Sequence, residues 1–129
     1  MRFLGIAYEE EQKLDELSES EWLALRRETL DYVQELKDAG RLVDTHALQS
    51  ATTASTLRVR AGKLTVTDGP FAETKEVIGG FFIFEARDVQ EAIEIAAKWP
   101  SVRFGTIEVR PLEEELRTEG RYRPVHQPT

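Results

Sequence analysis

Asp68 closes an alternating run and is followed at once by Gly69-Pro70, a pair that bends the backbone. A carboxylate held there can serve as a general base or hold a polar ligand at a pocket rim. It can equally bond nearby amides and shape the turn. His46 is one of two histidines, and an imidazole can both accept and donate a proton. Paired with Asp44 or Asp68 it would form a proton-transfer unit; alone it would be structural or merely exposed. Arg58, Arg60 and Arg110 fall in strand-like runs. A guanidinium facing a cavity forks onto a carboxylate or phosphate, and one on an edge strand blocks unwanted pairing. Tyr8 ends the first apolar run, where it can line the same cavity or cap the core. Phe71, Lys75 and Glu76 lie in a connection of roughly ten residues, long for a hairpin and of a length that often carries function. Phe71 either touches a substrate or anchors the loop in the core or a dimer seam. Lys75 and Glu76 either contact a charged substrate or form a solvated pair.

These residues need elements to position them. Arg2 to Tyr8 is a short apolar run that predicts a buried strand. Glu9 to Leu17 is acidic and irregular. Ser18 and Glu21 form a capping box, after which Trp22, Leu25, Thr29, Val33 and Leu36 share a helical face, with Tyr32 at its margin and Leu23 and Leu30 in a second stripe. Gly40 is the expected C-cap. Arg41 to Leu48 reads as extended. Ala51 to Ser55 reads as a loop or irregular strand edge. Thr56–Arg60 and Lys63–Thr67 alternate around Ala61-Gly62 and predict a hairpin. Ile78 to Glu85 is the most apolar strand. Asp88 and Glu91 open a second helix with a stripe of Val89, Ala92, Ile93 and Ala96, ended by Pro100. Phe104 to Leu112 is the last strand, with Ile107 and Val109 facing one way. Residues 112–116 predict one acidic turn, and residues 113–129 a polar tail beyond a domain at 1–112; His126 in that tail is given no role.

The order strand, helix, strand with hairpin, strand, helix, strand predicts an α+β sandwich, a ferredoxin-like antiparallel sheet with two helices on one face and an extra hairpin. Phe81 to Phe84 put bulk on both faces of that sheet, and the helices cover one. The other face needs a cover. The simplest is the same face of a second copy, so the expectation is a homodimer through the open sheet face.

Composition narrows the chemistry. The chain has 129 residues, no cysteine and a net charge of −7. Without cysteine there is no disulfide, thiolate metal site or thiol nucleophile. Two distant histidines give no metal site, and no cofactor fingerprint is present. Residues 9–38 carry 11 acidic and 4 basic side chains, so the whole excess sits in one N-terminal stretch. That balance opposes nucleic-acid binding, and sets aside a faint echo of an RNA-binding strand at Gly79-Gly80-Phe81-Phe82-Ile83-Phe84. No run is long enough for a membrane span and no secretory signal is legible, so the expected location is cytoplasmic.

The segment Asp68-Gly69-Pro70-Phe71-Ala72-Glu73-Thr74-Lys75-Glu76, followed by Gly79-Gly80-Phe81-Phe82 and by Ile107-Glu108-Val109-Arg110-Pro111, resembles the signature of the YCII-related family in its DGPF-type branch. Thr56-Leu57-Arg58-Val59-Arg60 and Gly62-Lys63 are similar to it as well. The resemblance spans residues 2–112 and implies a ferredoxin-like fold that dimerises as an α/β barrel. It implies little chemistry. Some relatives occur beside or fused to sigma factors of the extracytoplasmic-function class. More distant ones include a lyase that eliminates chloride, associated with a His–Asp pair: His on the first helix, Asp just before a proline near the end of the second. Here no histidine lies between Glu19 and Gly40, and Trp99 precedes Pro100. The pair is not carried over.

Two functions therefore stand side by side. One is a small-molecule-binding homodimer with acid/base activity, lyase- or isomerase-like, on a small organic acid. There Asp68 and His46 are catalytic, and Tyr8, Arg58, Phe71, Lys75, Glu76 and Arg110 bind ligand. The other is a non-catalytic ligand-sensing or interaction module with a regulatory protein partner in transcription.

Overall fold

The structure is a computed structural model, and it describes residues 1–72 and 74–114. The predicted acidic turn at 112–116 in part, the tail beyond it and Glu73 lie outside the described residues. The first strand, β1 (Arg2–Glu9), leads into a short helix, α1 (Glu11–Asp15), and then the long α2 (Glu19–Asp38). β2 (Leu42–Ala47) precedes a hairpin of β3 (Ser55–Arg60) and β4 (Lys63–Asp68). β5 (Val77–Glu85), α3 (Val89–Ala97) and β6 (Gly105–Pro111) complete the chain. The order β2-β5-β1-β6, antiparallel throughout, is the ferredoxin-like arrangement expected from the sequence. β3 and β4 form a separate two-stranded sheet.

Local chemistry accounts for most boundaries. The Ser18 hydroxyl accepts from the Glu21 amide while the Glu21 carboxylate accepts from the Ser18 amide, so the capping box closes from both sides. Asp88 caps α3 on the Glu91 amide. There the box stays half-formed, because the Glu91 carboxylate instead accepts from the Arg87 amide. Ala61 and Gly62 both take positive φ, the backbone of a type I′ turn, which matches the twist of the flanking strands. Glu9–Leu17 is not irregular as expected: α1 occupies its centre, carrying Glu11 in the first turn and Lys13 in the last, as the helix dipole favours.

The core lies between the sheet and α2/α3. Phe3, Phe82 and Phe84 are fully buried, with Leu36, Ala92, Ala96 and Trp99 packed around them. Phe82 stacks on Trp99 at 3.9 Å between ring centroids, and its ring lies over Gly5, where a Cβ would collide with it. Tyr32 meets Trp99 edge-on and donates to the Ile95 carbonyl at 2.6 Å. Its burial pushes the phenol up to about 12. Two expected core positions of α3 are corrected. Val89 and Ile93 are exposed, whereas Glu91 is buried beside Ala92 and Ala96. The helix is rolled so that Glu91 reaches Arg41 and Arg87, and a paired carboxylate replaces the outer edge of the apolar stripe. On α2, Trp22 and both members of the Leu23/Leu30 stripe stay exposed, since the core needs only Leu25, Tyr32, Val33 and Leu36.

Candidate functional site: the open face of the sheet

Antiparallel register places directly opposed residues on one face. Phe82 and Phe84 point to the helices, so Phe81 and Ile83 point away from them. Two complete rows then cross the open face. One runs Asp44, Ile83, Leu4, Arg110 from β2 to β6; the next runs His46, Phe81, Ile6, Glu108. A third, shorter row holds Ile78, Tyr8 and Thr106. Each complete row is polar at both ends and apolar in the middle. The result is an apolar floor between two polar rims, about 14 Å apart at the backbone.

The rims are internally wired. His46 Nε2 lies 3.1 Å from Asp44 Oδ1, and its ring sits 5.8 Å from that of Phe81. The backbone amide of Thr45 also donates to Asp44 at 2.9 Å, fixing the carboxylate that orients the imidazole. Across the floor the Tyr8 hydroxyl donates to Glu108 at 3.2 Å, and Arg110 Nη2 lies 3.5 Å from the same oxygen. Burial, and then the Glu108 carboxylate, hold the Tyr8 phenol above its ordinary value. Glu76 accepts from Thr106 at 3.0 Å and ties the loop before β5 to this rim. Close backbone packing at the Gly79-Gly80 pair supports the face: a Cβ on Gly80 would press on the His46 carbonyl, and one on Gly79 would collide with the Glu9 carboxylate.

The expected site residues therefore separate. His46, Tyr8 and Arg110 share the open face, with Glu76 at its border. Arg58, Asp68 and Phe71 belong to the hairpin and its exit. Among the described residues no hydrogen bond or ion pair engages the Asp68 side chain, and His46 pairs with Asp44. Phe71 is not in this chain's core: it is 73% exposed, with Arg58 4.8 Å above its ring in a cation–π contact. Lys75 lines a surface concavity of about 460 Å³ beside Glu10 and Lys13. A second, of about 530 Å³, is lined by Glu9, Glu11, Asp15, Glu19 and Trp22 and repels anions. Glu108 was not singled out in the sequence. Its signal was the alternation with Ile107 and Val109, which places Glu108 and Arg110 together on the opposite face.

The other side of the sheet is occupied by the core. Trp99, standing just before Pro100, is 7% exposed and stacked into the core. Among the described residues no group of three or more His, Cys, Asp or Glu side chains is placed to hold a metal ion, and no helix is long and apolar enough to cross a membrane.

The YCII-related domain matches residues 1–115, and the chain belongs to the YCII-related family. A curated relative, an uncharacterised protein of Rhizobium meliloti (strain 1021), is 33% identical over 114 residues, which are 87% of this chain and 92% of that protein. Among solved structures, the fold is similar to 5-chloro-2-hydroxyhydroquinone dehydrochlorinase from Burkholderia phenoliruptrix AC1100 in complex with 2,5-dihydroxybenzoquinone. The TM-score is 0.53 at 18% identity, covering 89% of this chain and 96% of that one. At that identity the likeness is one of fold.

Proposed function

We propose that this protein is a DGPF-type member of the family that binds a small aromatic or extended organic acid on the open face of the sheet, with a second copy of the chain closing the site. The carrying observation is the pattern of the two rows: apolar floor, Asp44–His46 on one rim, Tyr8–Glu108–Arg110 on the other. The floor takes the hydrocarbon. Arg110 supplies the cation for a carboxylate, with Tyr8 beside it. His46, held by Asp44, moves a proton to or from the ligand in an isomerisation or elimination. The dehydrochlorinase that shares the fold is named for an elimination, which belongs to this reaction class. Asp68, Arg58 and Phe71 reach the same ligand in this reading only from the second copy's hairpin.

A thermal-shift series with small aromatic acids tests the reading. Saturation at 100 times the dissociation constant stabilises a protein by about 2.7 kcal/mol. The wild type should shift with at least one acid, Arg110→Ala should not, and His46→Ala should shift yet fail to turn the ligand over. Binding without turnover by the wild type would instead support a ligand sensor. No shift with any acid would remove the small-molecule reading.

A further inference from the structure

The β3–β4 hairpin has two unlike faces. Register pairs Leu57 with Val66 and Val59 with Leu64, so all four apolar side chains share one side. Arg58, Arg60, Lys63 and the threonines occupy the other. Each of the four apolar residues is 56–61% exposed. An isolated two-stranded hairpin is marginal in water and needs an apolar partner to hold its shape. An apolar face of this kind, exposed on an otherwise charged protein, marks an interaction surface.

We infer that the β3–β4 hairpin is a docking arm whose apolar face is covered by a second copy of this chain. Two observations choose that occupant. The first is charge. Residues 55–68 carry three basic side chains and one acidic, a net of +2, so the other residues of a chain of net charge −7 carry −9. The basic side chains stand on the side of the arm away from its apolar face, so the arm is a basic projection from an acidic body and the complementarity acts at long range rather than at the seam. Such complementarity steers association between copies that would otherwise repel. The second is area. The open sheet face presents about a dozen side chains, whereas a stable interface takes roughly 20–30 residues a side. The arm's apolar side adds Ser55, Leu57, Val59, Leu64, Val66 and Asp68 toward that size. The arm also brings Arg58 of β3, and its exit Phe71, already in contact with each other at 4.8 Å, toward the same interface.

The inference rests on the dimer reading and is separable from it. Sedimentation equilibrium of the full chain at micromolar concentration compares the wild type with Leu57→Ser/Val66→Ser. These residues lie outside the core, so the variant should keep its circular dichroism while its dimer dissociation constant rises at least tenfold. Arg60→Glu/Lys63→Glu should weaken the dimer too, and high salt should shrink that difference. The chain has no cysteine, so Val66→Cys takes a single nitroxide label, which should be immobilised in the dimer and mobile on dilution. A wild-type dimer whose dissociation constant the Leu57/Val66 change leaves unaltered, or whose label stays mobile, overturns the arm and leaves the sheet-face dimer standing. A wild type that is monomeric throughout overturns both.

Discussion

Glu91 and Glu9 are carboxylates pushed in opposite directions by their surroundings. Arg41 hydrogen-bonds the Glu91 carboxylate, the Arg87 amide adds to it, and together they hold the group below its usual value. A depressed native pKa contributes stability that is present above the unfolded value and lost as pH falls through the native one. The wild type should therefore lose melting temperature between about pH 5 and pH 3, and Glu91→Gln should flatten that loss while lowering stability at neutral pH. Thermal melts across that range check both. Glu9 behaves oppositely. Burial, and then the nearby Glu11 charge, raise its pKa. A raised carboxylate destabilises the fold once pH rises past its native value, so Glu9→Gln should melt higher than the wild type at neutral pH, and the gain should vanish near pH 4. A gain that persists in acid would tie the effect to packing against Gly79 rather than to charge.

At the scale of elements, α2 depends on its first turn. Only Leu25 and Leu36 of its 20 residues are buried, so a helix about 30 Å long is anchored by a narrow stripe and a cap. Ser18→Ala should cost about 1 kcal/mol, which for a domain of this size is a fall of about 4 °C in melting temperature. The β1–β5 ladder is held differently, by the Phe82 ring over Gly5. Gly5→Ala must displace that ring from its stack with Trp99 and should cost about 1–3 kcal/mol in chemical denaturation. A null result at Gly5 would mean that Phe82 has room to move, which the 3.9 Å stack on Trp99 argues against.

For the molecule as a whole, the division of labour between the two sheet faces decides where chemistry can occur. One face is filled by Phe3, Phe82, Phe84 and Trp99. Phe82→Ala should cost about 3–5 kcal/mol, enough to threaten a fold of ordinary stability, with denaturant midpoints as the measure. The other face keeps its polar groups at the rims and its hydrocarbon in the centre. Substitution at His46 or Arg110 should leave the unfolding free energy of the single chain within about 0.5 kcal/mol of wild type, because both side chains are exposed there. On the proposed reading, stability and ligand binding lie on opposite sides of four strands, and variants on each side should separate in denaturation and ligand-binding assays.

The sequence by itself determined the order of the strands and of α2 and α3, though not α1, together with the Ser18 and Asp88 caps and the Ala61-Gly62 turn, since each rests on neighbours a few residues apart. The same local patterning marked Phe81 to Phe84 as a strand with bulk on two faces, and the capping arithmetic placed α2 to within a residue. It could not say which rows of side chains meet, because register in the four-stranded sheet couples residues 33 to 108 positions apart. Only the tertiary structure paired His46 with Asp44, brought Glu108 to Tyr8 and Arg110, rolled Glu91 inward and left Phe71 outside. Those outcomes follow from strand order and helix rotation, which the packing of Phe82 on Trp99 and the Arg41–Glu91 pair set together.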